Sequence, residues 1–166
     1  MKFDSISTQR LVIRRLVNDD AEIISFYRSL PEVSQFQSWQ QYSLQQASEL
    51  ISEMKMSDPS DVGKWFQFGI SLKINDELIG DIGFLNTDEQ QKSWIGFTLN
   101  SEHWGNGYAL EAVEAVLTYY CHLGIYKVWA SIDPQNHSSA KLLKKLGFSL
   151  LESKPEDHIY FINMMR

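Results

Sequence analysis

The chain has 166 residues, of which 43% are hydrophobic, 22% are charged and one, Cys121, is a cysteine. This composition is typical of one compact soluble domain, and a single thiol excludes a disulfide-stapled secreted module. The net charge of −6 argues against a protein that binds nucleic acid through its phosphates, and no apolar run approaches the ~18 residues of a membrane span. We therefore expect a cytoplasmic protein with one domain over residues 1–166, and neither a nucleic acid nor a membrane as its partner.

The first half of the chain predicts a strand, two helices and an antiparallel meander. The apolar run 11–16 indicates the strand, and Pro31 ends the first helix, 21–30. Ser43 and Gln46 have the spacing of a capping box, which begins the second helix. Alternating apolar residues indicate three further strands at 66–72, 78–84 and 94–99.

The segment between the two helices carries three large aromatic residues, Phe36, Trp39 and Tyr42, without a clear period. Two interpretations stay open at this point. The aromatic side chains anchor a loop to the core, or they form the wall of a ligand site, since loops often carry function.

The second half of the chain predicts a strand, helix, strand unit and a closing hairpin. A glycine turn follows strand 94–99 and leads into a long helix that ends at Gly124. The remaining predicted elements are strand 128–132, helix 136–146 and strands 148–151 and 159–165. We therefore predict a mixed α/β (α+β) domain with a mostly antiparallel sheet of seven strands and about four helices.

The turn Gly105-Asn106-Gly107 lies where successive backbone N–H groups and a helix N-terminus can hold a phosphate or a pyrophosphate. Two common nucleotide motifs do not match it. A dinucleotide fingerprint requires Gly or Ala where Leu110 stands, and the Gly-Lys-Ser/Thr of a P-loop is absent.

The glycine turn and a second motif about thirty residues later together resemble one protein family. The motifs are Trp104-Gly105-Asn106-Gly107-Tyr108-Ala109, then Asn136-x-x-Ser139 and Leu146-Gly147-Phe148. They resemble the GNAT superfamily of acyl-CoA N-acyltransferases. The N-terminal Thr8-Gln9-Arg10-Leu11-Val12-Ile13-Arg14, with Pro31-Glu32-Val33 and Trp39, is similar to the RimJ/RimL type of that superfamily.

This resemblance implies a central pair of parallel strands that splay apart and hold acetyl-CoA. Its pantetheine arm would lie between residues 94–99 and 127–132, with the pyrophosphate on the backbone N–H groups of residues 105–109. A backbone N–H freed by the splay would stabilise the oxyanion. Lysines on the helix after residue 136 would add positive charge, or would form an ordinary solvated helix face. The cofactor-binding residues so implied are Phe97, Thr98, Leu99, Trp104, Gly105, Asn106, Gly107, Tyr108, Ala109, Asn136, Ser139, Lys141 and Lys144.

The candidate catalytic groups depart from the family pattern at two positions. Many GNAT members have a Tyr that protonates the leaving thiolate where this chain has Leu143, so Ser139 or a water is the candidate donor. Capping a helix is the alternative role of Ser139. The glutamate that RimJ/RimL-type members often carry is replaced by Trp94. The remaining candidates for a general base are Asp81, Asp133, His103 and a chain of waters.

We predict an N-acetyltransferase that moves acetyl from acetyl-CoA directly to a primary amine, such as a protein N-terminal α-amino group. A small amine, for example a polyamine, an amino acid or an aminoglycoside, is the alternative acceptor, and a non-catalytic acyl-CoA-binding module is the alternative function. The candidate acceptor-binding residues are Phe36, Trp39 and Tyr42. The spacing of the four histidines predicts no metal site, and we expect a monomer or a homodimer.

Overall fold

One sheet organises the chain in the computed structural model, which describes residues 2–87 and 92–165. Its strands are β1 (Ser5–Ser7), β2 (Leu11–Arg15), β3 (Trp65–Leu72), β4 (Leu78–Asn86), β5 (Lys92–Leu99), β6 (Lys127–Ile132), β7 (Ser149–Ser153) and β8 (His158–Asn163). The helices are α1 (Ala21–Ser29), α2 (Pro31–Ser34), α3 (Leu44–Lys55), α4 (Tyr108–His122) and α5 (His137–Lys145). The strand order is β1-β2-β3-β4-β5-β6-β8-β7, and only β5 and β6 run parallel among these described neighbours. The predicted mixed, mostly antiparallel α/β fold is confirmed.

Two short elements were not predicted, so the described residues form eight strands and five α-helices instead of seven and about four. Strand β1 is a three-residue edge strand, too short to show an alternating pattern. Pro31 ends the first helix as expected, but it also begins α2. A proline suits the first position of a helix because its φ is already helical and the missing N–H has no partner there.

The capping box at the start of α3 is confirmed. The Gln46 N–H donates to the Ser43 hydroxyl at 3.1 Å, and the Ser43 N–H donates to Gln46 Oε1 at 2.8 Å. These two bonds satisfy N–H groups that the helix itself leaves unpaired, which is why the helix begins at this point.

Helix α4 packs on one face of the sheet. The Tyr120 ring stacks on Phe84 with centroids 3.5 Å apart and contacts Phe68 edge-on at 6.1 Å. The Tyr120 hydroxyl donates to the Pro59 carbonyl oxygen at 3.0 Å, so its one polar group is satisfied inside the core. Burial raises the pKa of Tyr120 far above its ordinary value, and the side chain is therefore a neutral packing element.

The opposite face of the sheet is joined to α1 by a buried ion pair between Arg28 and Asp81. Arg28 Nη2 donates to Asp81 Oδ1 at 2.6 Å, and the two side chains are 6% and 2% exposed. Gln67 and the Tyr27 hydroxyl also donate to the Asp81 carboxylate. Burial, together with the negative charge of Asp81, raises the pKa of Tyr27 well above its ordinary value. Helix α1 is thus held to β4 by one fully hydrogen-bonded carboxylate.

The parallel pair β5–β6 separates partway along its length. The two strands pair at Lys92 with Lys127, Ser93 with Val128 and Trp94 with Trp129. Beyond that level β5 pairs only with β4, and β6 pairs only with β8. The splay expected between residues 94–99 and 127–132 is therefore present, with a gap between the two strands.

We expect Asp81→Asn to lower the free energy of unfolding by about 3 kcal/mol, because it leaves the buried Arg28 cation without its counter-charge. Urea denaturation measures this change. The control is Glu152→Gln, which removes the exposed partner of Lys154, 3.3 Å away, and should change nothing measurable. Equal stability of the two variants would contradict a structural role for the ion pair.

Candidate active site

A cleft of about 410 Å³ lies where β5 ends, α4 and α5 begin, and the segment after α1 passes over the sheet. A smaller cavity of about 60 Å³ continues from it into the gap between β5 and β6. The two spaces share the residues Phe36, Gln37, Phe97, Asn136 and Ser139. They are therefore two parts of one site, a wide outer cleft and a narrow inner end.

The inner end exists because β5 and β6 stop pairing. It is lined by 95–97 of β5 and by 130–132 of β6, the residues just past the last paired level. Backbone N–H and C=O groups on the two facing edges have no strand partner there, and such groups require one when water is excluded. An extended ligand with amide groups can supply those partners, and a spare N–H can stabilise a developing oxyanion.

The glycine turn forms the other end of the cleft. Gly105 and Gly107 have φ values of +78° and +79°, which only glycine adopts without strain. A Cβ added to Gly105 would meet no atom within 4 Å, so open space lies over the turn. Gly107 is the N-cap of the 15-residue helix α4, whose first N–H groups have no partner within the helix. The turn and helix start are suited to bind an anion.

The segment 8–10 braces this turn from outside. Arg10 Nη1 donates to the Asn106 carbonyl oxygen at 2.8 Å, and its guanidinium carbon lies 4.5 Å from the Tyr108 ring centroid. Glu111 holds Arg10 in place: it accepts from Arg10 Nε and from the Arg10 N–H, both at 2.8 Å, and from the Thr8 hydroxyl at 2.6 Å. Although partial burial opposes the effect, the bonds from Thr8 and Arg10 lower the pKa of Glu111 below its ordinary value.

Arg10 is a residue whose role the sequence analysis missed. The residues 8–10 were noted there only as part of a family resemblance. About one hundred residues separate Arg10 from Glu111, so no local pattern connects them. Arg10 and Glu111 each lie at the end of a strand or helix, where a charged residue is ordinarily there because it is exposed to solvent.

Most of the residues predicted to bind a cofactor line the outer cleft: Phe97, Thr98, Leu99, Trp104, Gly105, Gly107, Tyr108, Ala109, Asn136, Ser139 and Lys141. Two of them do not. Asn106 directs its side-chain amide to the carbonyl oxygens of His103 and Trp104. Lys144 is not among the residues that line the cleft, whereas Lys145 is. The residues at 141 and 145 share a helix face because they are one turn apart.

Ser139 lies at the junction of the outer cleft and the inner end. Its alternative role as a helix cap is taken by Asn136, whose Oδ1 accepts from the Ser139 N–H at 3.2 Å. The Ser139 hydroxyl is therefore not needed as the cap of α5. Leu143, at the position where the resemblance suggests a Tyr, is fully buried in the core.

The three candidate bases lie in different surroundings. Asp133 lines the inner end and accepts the Gln135 N–H at 2.8 Å. His103 lines the outer cleft, with Nε2 3.5 Å from a Glu77 carboxylate oxygen. Asp81 is 1% exposed and lines neither part of the site, because its carboxylate is occupied by the ion pair with Arg28. The prediction that Asp81 acts at the site is therefore corrected: its position is structural.

The three aromatic residues predicted to bind an acceptor separate in the structure. Phe36 lines both parts of the site. Trp39 and Tyr42 instead pack on Arg28, whose guanidinium carbon lies 4.8 Å and 4.6 Å from their ring centroids, and Trp39 Nε1 donates to the Arg28 carbonyl oxygen at 2.8 Å. Trp39 and Tyr42 therefore anchor the segment after α2 to the core, and only Phe36 reaches the cleft.

Residues 2–87 and 92–165 contain neither a cluster of metal-ligand side chains nor a membrane-spanning helix. No group of three or more His, Cys, Asp or Glu side chains in that part of the chain is arranged to hold a metal ion. No helix there is both long enough and apolar enough to cross a bilayer.

The sequence matches both a protein-family model and individual N-acetyltransferases. Residues 10–149 match the family model described as an acetyltransferase (GNAT) domain. The chain is 33% identical over 148 residues to the uncharacterized N-acetyltransferase p20 of Bacillus licheniformis, covering 87% of this chain and 82% of that protein.

Solved structures with the same fold are also numerous. An acetyltransferase of the GNAT family from Bacillus anthracis superposes with a TM-score of 0.81 and 21% identity, over 96% of this chain and 98% of that one. RimL, described as a ribosomal L7/L12 alpha-N-protein acetyltransferase in complex with coenzyme A, gives 0.82 and 16% identity, over 97% and 98%. At these identities the likeness shows the fold alone.

Arg10→Ala should loosen the glycine turn, because it removes the bond to the Asn106 carbonyl oxygen and the stacking on Tyr108. We expect amide hydrogen exchange of residues 105–109 to become about tenfold faster, a change of about 1.4 kcal/mol in local opening. Thr8→Val, which keeps the guanidinium, should have a smaller effect. Unchanged exchange at the turn in Arg10→Ala would contradict the bracing role.

Proposed function

Because the chain belongs to the GNAT acetyltransferase family and is an acetyl-CoA-dependent N-acetyltransferase, we propose that its acceptor is a free N-terminal α-amino group of a protein or peptide. The observation that carries the proposal is the continuous site from the glycine turn to the gap between β5 and β6. It combines an end suited to bind an anion with a narrow inner end bordered by backbone groups that lack a strand partner.

The residues of the cleft fit acetyl-CoA. Its pyrophosphate would bind the N–H groups of residues 105–109, over which Gly105 leaves open space. Its pantetheine amides would pair with the edge of β5 that β6 leaves free, and the Asn136 side-chain amide, whose oxygen is used in capping, can donate to the same arm. Lys141 and Lys145 line the outer cleft, where a charged nucleotide end would lie.

The reaction depends on the protein to position the amine and the thioester, and it needs no covalent intermediate with the protein. The neutral amine attacks the carbonyl carbon of the thioester, the new C–N bond forms as the C–S bond breaks, and the amine loses one proton while the thiolate gains one. A backbone N–H on the free edge of β5 would stabilise the charge that develops on the carbonyl oxygen. The Ser139 hydroxyl, at the junction of the two spaces, would donate the proton to sulfur.

The weakness of the available bases supports an α-amine over a lysine or a polyamine. Trp94 replaces the family glutamate and Asp81 is held by Arg28, which leaves Asp133, His103 or water to take the proton. At about pH 7.5 roughly one third of an α-amine is neutral, against roughly one in a thousand of a lysine amine. An α-amine therefore needs little deprotonation by the enzyme.

Two further likenesses support this acceptor. RimL, whose printed description names an alpha-N-protein acetyltransferase, shares the fold over 97% of this chain. The segment Thr8 to Arg14, which is similar to the RimJ/RimL type, contains the residues that brace the glycine turn.

The proposal is tested by adding acetyl-CoA and a peptide with a free N-terminus. At 100 times its dissociation constant the ligand adds about 2.7 kcal/mol, which for a domain of this size raises Tm by about 5–10 °C. Mass spectrometry should then find one acetyl group on the peptide α-amine. Transfer only to lysine side chains or polyamines would contradict the proposed acceptor, and no shift of Tm would contradict the donor site.

Gly107→Val tests the donor site, and Gly63→Val is its matched control. Both glycines have φ near +78°, so both variants should lose about 1–2 kcal/mol of stability. Only Gly107→Val should lose the rise of Tm with acetyl-CoA, because Gly63 lines neither part of the site.

Ser139→Ala should lower kcat by about tenfold to a hundredfold, with little change in KM for acetyl-CoA, because a proton donor acts in the reaction step. Steady-state kinetics at varied acetyl-CoA measure the two constants separately. The matched control is Ser138→Ala, since Ser138 lines the outer cleft but not the inner end. A raised KM with unchanged kcat in Ser139→Ala would make Ser139 a binding residue.

A further inference from the structure

Where β5 and β6 separate, the gap between them forms an opening in the sheet, and residues of both faces line it. Phe97 and Ile95 lie on the α4 side, whereas Gly96 and Ser131, which also line the inner end, lie on the other face because strand residues alternate. A Cβ added to Gly96 would meet nothing within 4 Å. An acceptor can therefore approach from this second face while the outer cleft holds the donor.

Trp94, Trp129 and Phe161 form an aromatic platform on the face of the sheet opposite α4. The platform lies two strand residues before the opening. Trp94 and Trp129 are ladder partners with ring centroids 6.5 Å apart, and Trp129 pairs with Phe161 with centroids 4.7 Å apart. All three rings remain partly exposed. Trp94 precedes Gly96 by two strand residues, so the platform lies about 7 Å along the strand from the level of Gly96.

A positive charge lies over the platform. The ammonium of Lys92 is 5.2 Å from the ring centroids of both Trp94 and Trp129. Lys127, the ladder partner of Lys92, is on the same face and exposed. At the other side of the opening the inner end is lined by the Asp133 carboxylate. Charge therefore changes from negative, two residues beyond the level of Gly96, to positive, about two residues before it.

This arrangement disfavours a polycation. An acceptor amine at the level of Gly96 lies about 7 Å along the strands from the level of Asp133 and about 7 Å from the platform on the other side. The amine is attracted by Asp133, but a second positive charge two residues along the peptide would meet Lys92 over its aromatic platform. An anionic group at that distance would instead pair with Lys92. In an extended peptide, 7 Å separates the first residue from the third.

We propose that the acceptor is an extended peptide with a free N-terminus and an acidic side chain at its third residue, recognised by Lys92 on the platform of Trp94 and Trp129. The inference rests on the proposed function, since it names the class of α-amine. Lys92 is then a specificity-determining residue that contacts the acceptor and takes no part in the transfer of the acetyl group or of protons.

Three peptides that differ only at residue three test the inference: Ser-Ala-Glu, Ser-Ala-Gln and Ser-Ala-Lys, each continued by the same neutral residues. We expect kcat/KM to be about tenfold higher for the Glu peptide than for the Gln peptide, and lowest for the Lys peptide. The advantage of the Glu peptide should fall as ionic strength rises from 0.05 to 0.5 M, because an exposed charge pair is screened.

Lys92→Gln should remove the difference in kcat/KM between the Glu and Gln peptides. Lys64→Gln, a change at an exposed lysine outside both parts of the site, should leave the difference intact. Lys92→Arg, which keeps the charge, should retain the preference and shows that the position tolerates substitution.

Equal rates on the three peptides, or a Glu preference that survives in Lys92→Gln, would overturn the inference while leaving the proposed function intact. Absence of transfer to any peptide, with acetyl-CoA bound, would instead overturn the proposed α-amine acceptor. The two failures are therefore distinguishable in one set of assays.

Discussion

Among the described residues β5 and β6 pair at three positions and then separate, and the site depends on this interruption. A sheet that paired along its full length would have no inner cavity, no free backbone edge and no passage between its two faces. The interruption provides all three at one place. Because backbone groups on the free edge need a partner, the gap is suited to an extended ligand with amides and poorly suited to an apolar one.

An open gap in a sheet requires other contacts to keep its two halves together. Tyr120 of α4 stacks on Phe84 from one side, and Trp94 contacts Trp129 at the closed end on the other. The ion pair between Arg28 and Asp81 fixes α1, and through Trp39 it fixes the segment that passes over the cleft. The residues that surround the gap are therefore held by contacts that lie outside it.

The sequence predicted the features that depend on neighbouring residues. The capping box of α3 and the glycine turn before α4 follow from local spacing, whereas the assignment of Ser139 to the site came from the family resemblance. Features that depend on distant residues were missed or misassigned. Alternation along β4 cannot tell whether Asp81 faces a cleft or a buried arginine, and nothing near Arg10 indicates Glu111. The three aromatic residues of the 32–42 segment are equivalent in the sequence pattern. In the structure Trp39 and Tyr42 pack on Arg28, a contact that the local sequence does not indicate, and Phe36 does not.

The contact between Arg10 and Glu111 has a consequence for the order in which the protein is completed during synthesis. A ribosome adds residues at about 5–20 per second, so Arg10 is added on the order of 5 to 20 s before Glu111. A nascent chain that ends before Gly105 has neither the glycine turn nor the carboxylate that orients the arginine. The donor site is thus assembled from segments about one hundred residues apart, and a nascent chain acquires it only after the start of α4 has been made.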